Sequence, residues 1–256
     1  MSNYLILLPP SEGKEVGGKN YFQDVKDNLS FTDLQNDRIE LHNEIKKKLL
    51  KLPEHKLEKV FNIKLKDSIV RKNQLLNLDN KKTLPTVKRY NGTMFKAINY
   101  DSLDEFQKNN FDSNVIFISG LFGILKPNDL IPNYKLKINA KILDLSIEKF
   151  WKERLDNSFR DISKDKIIID FLPQAHRNVI NVNLSNKYFQ IVFGEIKEGK
   201  FKQIGHFSKE LKGELIRYLV SHKELDEEII KNFKHSRGHK YDEVLSNENK
   251  IVFLKG

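Results

Sequence analysis

Three short apolar runs stand out from an otherwise charged chain, at Asn3 to Leu8, Asn114 to Ile118 and Lys166 to Asp170. Runs of this length that end in turn-forming residues read as strands buried within a sheet. Elsewhere the apolar positions recur at helical spacing. Leu34, Leu41, Ile45, Leu49 and Leu50 predict a helix over Thr32 to Lys51, with Thr32 or Asp33 as N-cap and lysines in its last turns. Further helices are predicted from Pro53 to Phe61 and Lys64 to Leu76, followed by a loop over Asn77 to Thr83. Thr93 is placed to cap a short helix holding Met94, Phe95 and Ile98, and Leu145 to Ile162 and Lys223 to Phe233 complete the helical stretches. Alternating apolar positions over Phe189 to Ile196 and Lys200 to Phe207, joined by Lys197-Glu198-Gly199, predict a hairpin. Ser208 then caps a helix to Ser221, and Lys250 to Leu254 is a closing strand. The sum is an α/β fold of mixed α+β type: one compact domain over residues 1–256, with a mixed central sheet flanked by helices.

Composition narrows the function. The longest apolar runs, Tyr4 to Leu8 and Val115 to Leu125, are too short to span a bilayer, and no basic segment precedes a long apolar one, so a cytoplasmic protein is expected. There are no cysteines, which excludes thiol nucleophiles, disulfides and thiolate metal sites. The net charge of +10 favours polyanionic partners. Lysine outnumbers arginine, however, and a genome rich in Lys, Asn and Ile gives the same composition without any nucleic-acid role.

Candidate chemistry gathers in three turns. The central one, Ile118 to Tyr134, leaves a predicted strand through Ser119 and Gly120 and holds Gly123, Lys126, Pro127 and Asp129. Glycine-rich turns at the carboxyl ends of strands let a phosphate or base approach backbone N–H groups, although a structural corner explains the same residues. Pro9-Pro10-Ser11-Glu12-Gly13-Lys14 repeats the geometry, with Lys14 able to meet an anion and Ser11 to bind it or cap a turn. This is not a Walker P-loop, which needs a second glycine before its lysine. In the third turn Lys88, Arg89 and Tyr90 precede Asn91-Gly92, two cations and an aromatic that suit a nucleotide surface or an ordinary basic loop. Lys209 and Lys212 sit in the first turn of the predicted Ser208 helix, where a nearby anion would offset their unfavourable position. His235 and His239 are four apart, but Gly238 argues for a loop and no third ligand is evident, so no metal is expected.

The blocks LLPPSEGK at Leu7 to Lys14, TLPTVKRYNGTMFKAI at Thr83 to Ile98 and SGLFGILKPNDLIPNY at Ser119 to Tyr134 resemble, in order, the signature stretches of the YaaA family of bacterial peroxide-stress proteins. The segment FGEIKEGKFKQIGHFSKELKGELIRYLV resembles the family's C-terminal part. The resemblance implies a fold peculiar to that family, a basic cleft for double-stranded DNA, a helix-hairpin-helix element and a role in limiting iron-driven oxidative damage. Three departures stand out, one of them the His235 to Tyr241 segment, which is unlike the family. Gly120-Leu121-Phe122-Gly123 has two residues between its glycines where a helix-hairpin-helix turn has one, and Asp170-Phe171-Leu172-Pro173 differs from the family's usual residues after the third strand.

The expectation is therefore a peroxide-stress protein that binds duplex DNA with weak sequence preference, without cofactor, membrane or protein partner. Lys14, Lys88, Arg89, Tyr90, Ser119, Gly120, Gly123, Lys126, Tyr134, Lys209 and Lys212 are its candidate contacts. The alternative is an enzyme acting on a nucleotide or nucleobase in the same cleft, with Ser11 and Asp129 as candidate catalytic groups and Tyr90 or Tyr134 stacking a base. An iron-sequestering protein ranks third, for want of a two-His-plus-carboxylate pattern. If the turns form one site, the first two apolar strands should be parallel neighbours, and Lys14, Arg89 and Lys126 should meet in a mixed-sign, mainly positive concavity.

Overall fold

The computed structural model describes residues 3–182, 187–205 and 208–256. In chain order its strands are β1 (Tyr4–Leu8), β2 (Thr83–Pro85), β3 (Val115–Ser119), β4 (Gly123–Leu125), β5 (Leu130–Pro132), β6 (Lys141–Ile142) and β7 (Leu145–Ser146). There follow β8 (Ile167–Asp170), β9 (Lys187–Lys197), β10 (Lys200–Gln203), β11 (His239–Tyr241) and β12 (Lys250–Lys255). The helices are α1 (Phe22–Val25), α2 (Gln35–Lys51), α3 (Leu57–Phe61), α4 (Leu65–Leu76), α5 (Thr86–Arg89) and α6 (Thr93–Ile98). The chain then adds α7 (Glu105–Asn114), α8 (Ile147–Lys152), α9 (Asp156–Ser163), α10 (Gln174–Arg177), α11 (Ser208–Val220) and α12 (Glu227–Lys231).

The main sheet runs β11-β12-β9-β8-β1-β3-β4, with β10 pairing β9. Its centre is parallel: β1 pairs β3 with Leu8 beside Phe117, and on its other side pairs β8 with Leu7 beside Asp170. Every residue of β1, β3 and β8 is buried, as expected for parallel strands covered on both faces. The antiparallel strands β4, β10 and β11 finish the borders. Because β1, β3 and β8 point the same way, the segments after Leu8, Ser119 and Asp170 emerge along one carboxyl edge, where ligands gather in open α/β sheets. No helix among the described residues is long and apolar enough to cross a membrane.

Several expected elements change. The Leu145 to Ile162 helix divides into α8 and α9. Asp156 in the first turn of α9 suits a helix N-terminus, and Ser158 donates to the Asp33 carboxylate, so a new helix starts instead of the old one continuing. The break lets Trp151, Leu155 and Phe159 all bury completely. Thr93 is the first residue of α6, after Gly92, and makes no capping bond. The last helix shortens to α12 because Asp226 caps it by accepting from Ile229 N–H at 2.7 Å. The hairpin's second strand stops at Gln203, and Ile204 N–H still reaches Phe193 O at 2.9 Å; the expected end at Phe207 lies outside the described residues.

His176 and His239 carry ring nitrogens that are sealed from water and unpaired. His176 Nδ1 is sealed from water with no partner, and burial pushes its pKa down to about 4. His239 has neither ring nitrogen paired, and burial followed by the nearby His235 lowers it too. A histidine depressed in the folded state leaves protons to the unfolded chain, so its stabilisation is present above pH ~6.5 and is lost as pH falls towards 4. His176 remains partly exposed, which reduces its share to about 2 kcal/mol. Urea midpoints should fall across that window, and His176→Gln should flatten the fall; an equally steep profile in the variant would assign the acid sensitivity elsewhere.

Candidate functional site

Beyond Leu8 the chain folds over the carboxyl edge and returns against the third motif turn. Lys14 forms an isolated antiparallel bridge with Tyr90, Glu15 N–H reaches Arg89 O at 2.8 Å, and Asn91 N–H reaches Gly13 O at 3.3 Å. Gly13 and Gly92 make this approach close, and a side chain at either would have to displace a neighbouring one. A Cβ on Gly92 would lie 2.4 Å from Ser11 Oγ, and one on Gly13 2.5 Å from Asn91 Oδ1. The first and second sequence blocks thus close on each other, while β3 delivers Ser119 and Gly120 from beneath.

At the centre is a buried hydroxyl chain. Ser119 Oγ accepts from Leu121 N–H at 3.2 Å and Phe122 N–H at 3.1 Å, which occupies its two lone pairs. Its own proton must then go to Tyr134 Oη, 2.6 Å away, leaving the Tyr134 hydroxyl to donate to Tyr90 Oη at 3.1 Å. Burial raises the pKa of both tyrosines, most strongly at Tyr90, so both stay protonated. Lys14 Nζ sits over these rings, 4.7 Å from the Tyr134 centroid and 5.3 Å from that of Tyr90, and donates to Ser11 O at 2.7 Å. Burial and the cations Lys135, Arg71 and Arg89, against the opposing pull of Glu12, bring the Lys14 pKa down to about 7.

Outside this core lies a ring of charge. Glu12 Oε2 is 3.3 Å from Lys135 Nζ and its Oε1 is 3.6 Å from Lys137 Nζ, and these two lysines keep the Glu12 carboxyl low despite burial. Glu15 Oε1 accepts from Asn91 Nδ2 at 2.8 Å. A cavity of about 420 Å³ opens beside the core between Tyr90, Asn91, Phe95, Lys96 and Tyr100. Farther along the same edge, Asp170 accepts from Leu172 N–H at 2.6 Å and from Arg177 and Tyr188 at 2.5 Å each, while Lys212 Nζ donates to Phe171 O at 3.3 Å.

The residues singled out from sequence take different places. Lys14, Tyr90, Ser119 and Tyr134 come together. Arg89 is wholly buried and donates to the carbonyls of Ile131, Glu15, Gly17 and Lys82, so it holds the loop instead of facing a phosphate. Tyr90 and Tyr134, 2% and 1% exposed, offer no ring face for base stacking. Gly120 is packed under Leu136 O and Ile138 N, and Gly123, at φ +67°, lies where a Cβ would be 2.8 Å from the Trp151 ring; packing explains both glycines. Lys126 is exposed but follows β4, which turns back along β3, so it projects at the opposite, amino edge near Lys166. Asp129 stays in that turn, its carboxylate accepting from Lys126 N–H at 2.7 Å and Ser30 N–H at 2.8 Å. Lys88 pairs with Asp101, Lys209 is exposed on α11, and Ser11 is buried against Gly92. The expected meeting of Lys14, Arg89 and Lys126 therefore fails at Lys126.

Residues 4–245 match the family model described as peroxide stress protein YaaA. The chain belongs to this family. An UPF0246 protein of Rickettsia conorii is 28% identical over 221 residues, covering 85% of this chain and 89% of the relative. Similar proteins occur in Rickettsia felis, 26% identical over 84% of this chain and 88% of the relative, and Rickettsia bellii, 28% identical over 79% and 83%. For this YaaA-family chain, sequence reasoning missed Lys135, Lys137 and Arg71 as members of the charged ring, although it expected an acidic partner such as Glu12 there. The signal was available for two of them: in Lys135-Leu136-Lys137-Ile138 the apolar residues are buried and the lysines are not, a period of two that puts both cations on one face.

Proposed function

We propose that this protein acts in peroxide stress by binding DNA, mostly duplex and with weak sequence preference, along the carboxyl edge, helping to limit iron-dependent oxidative damage. The reading rests on one observation above all: Lys135 and Lys137 both pair with the exposed carboxylate of Glu12, and Lys14 lies close enough for Lys135, Arg71 and Arg89 to disfavour its charge while Glu12 alone opposes them. Such an excess of like charge is costly in the free protein and is relieved by a polyanion. The net charge of +10 supplies the attracting field. Long lysine side chains that reach phosphates position a duplex without reading bases, hence the weak preference. Damage shielding follows from occupancy of the DNA, and the family's peroxide-stress description supports it.

Lys135→Glu with Lys137→Glu should weaken binding of a short labelled duplex and reduce the log–log salt slope by about 2, at roughly 0.9 per lost phosphate contact. Lys126→Glu, at the amino edge, should change neither. Fluorescence anisotropy at several salt concentrations reads both quantities, and an unchanged slope in the double variant would remove the carboxyl edge as the interface.

A further inference from the structure

Lys14 is poorly suited to being one more phosphate contact. Its amine is turned inward over two aromatic rings, tied to the Ser11 carbonyl, and surrounded by groups that disfavour its charge. The phosphate-facing work falls to Lys135 and Lys137, whose side chains retain 16% and 38% exposure. What the position provides is an amine held in a fixed direction over the rings of two protonated tyrosines, one of which, Tyr90, lines the neighbouring cavity together with Glu15, the residue after Lys14. Those are the requirements for a nucleophilic lysine: a neutral nitrogen at ordinary pH and a proton source for the oxygen it displaces.

We propose that Lys14 is a carbonyl-reactive amine that condenses with the aldehyde of an abasic deoxyribose in bound DNA. The proposal rests on the DNA-binding reading above. The Nζ lone pair attacks C1′ of the ring-opened sugar, and the carbonyl π electrons move to oxygen. A proton passes from nitrogen to that oxygen, a second proton from the surroundings converts the hydroxyl to water, and water leaves as the C=N bond forms. No oxidant or reductant is needed. Lys135 and Lys137 hold the flanking phosphates, and the Tyr134 and Tyr90 hydroxyls keep the amine's surroundings protonated without competing as bases. Abasic sugars are a product of the oxidative DNA damage that accompanies peroxide, so the substrate belongs to the same stress as the family.

The full-length protein is mixed with a duplex carrying one abasic site, in the presence of cyanoborohydride, which reduces an imine to a stable secondary amine. The expected result is a covalent adduct on a denaturing gel, mapped by peptide mass spectrometry to Lys14, with a trapping rate that rises through pH ~7. Lys14→Met should reduce trapping at least about tenfold while leaving the circular dichroism spectrum unchanged. If that variant does not fold, the mapped position in the wild-type adduct decides alone. An adduct elsewhere on the chain, or none although the intact duplex binds in the same buffer, overturns the proposal. If the intact duplex fails to bind, the DNA reading falls, and glycolaldehyde with cyanoborohydride becomes the deciding arm. Selective labelling of Lys14 then upholds the reactive amine without DNA as its substrate, and labelling spread over surface lysines overturns it.

Discussion

Arg89→Met should cost about 4 kcal/mol of stability and leave DNA affinity of the folded protein unaltered. The guanidinium is wholly buried, yet no carboxylate pairs with it. It donates instead to four backbone carbonyls: Lys82 O at 2.8 Å, Gly17 O at 3.1 Å, Ile131 O at 3.2 Å and Glu15 O. Those carbonyls belong to three separate stretches, the N-terminal loop, the approach to β2 and β5 itself. Removing the donor strands buried acceptors at about 1–3 kcal/mol each, partly recovered by water at the Glu15 and Gly17 end. Burial already lowers the Arg89 pKa to about 10, with Glu15 opposing, which leaves the side chain charged at any working pH. A loss of about 4 kcal/mol in a chain of this size corresponds to a melting temperature roughly 8–16 °C lower. Scanning calorimetry measures it, and the salt slope of duplex binding below the transition separates a structural arginine from a phosphate contact. A variant with unchanged melting and a lower slope would return Arg89 to the interface.

The sequence made the framework legible because buried parallel strands leave a strong signal. Residues of β1, β3 and β8 face apolar neighbours on both sides, so their segments read as unbroken apolar runs. The predicted pairing of β1 with β3 is present, and the turns that follow these two strands bring Lys14, Tyr90, Ser119 and Tyr134 together but not Lys126. What sequence could not give was the direction of side chains leaving those turns. Lys126 comes after a tight reversal, and once β4 runs back along β3 the lysine is carried to the other edge of the sheet. Glycine has two readings of equal sequence cost, approach of a ligand and approach of the chain to itself. At Gly120 and Gly123 the neighbours are Ile138, Leu136 and Trp151, all on the same chain. Tyr90 and Tyr134 were ambiguous for a similar reason, since an amphipathic ring serves equally in a stacking platform or a buried hydroxyl relay. Lys14 was found from its turn, but its unusual environment depends on Arg71 and Lys135, which lie far away in sequence.

Asp129 provides the sharpest separation between scaffold and chemistry. As a general base it would need a carboxylate oxygen free to take a proton, whereas here Oδ1 accepts from Ser30 N–H and Oδ2 from Lys126 N–H. The same residue's carbonyl accepts from Thr86 N–H at 2.8 Å and Thr86 Oγ1 at 2.9 Å. Arg38, buried nearby, adds Nη2 to Ser30 O at 2.8 Å and to Ile124 O at 2.9 Å, so one knot joins the segment before α2, the β4–β5 turn and the start of α5. Asp129→Ala leaves two backbone donors without their charged acceptor and should cost about 3 kcal/mol. Asp129→Asn should cost nearly as much, because its amide must present an NH₂ group to one of two N–H donors. Melting temperature should therefore fall by roughly 6–12 °C in both variants, with duplex affinity and Lys14 trapping unchanged while the protein is folded. A catalytic Asp129 would give the reverse pattern: melting kept in the Asn variant and a reaction lost. The two outcomes are separable in one pair of measurements, since the knot and the Lys14 amine occupy opposite edges of the sheet.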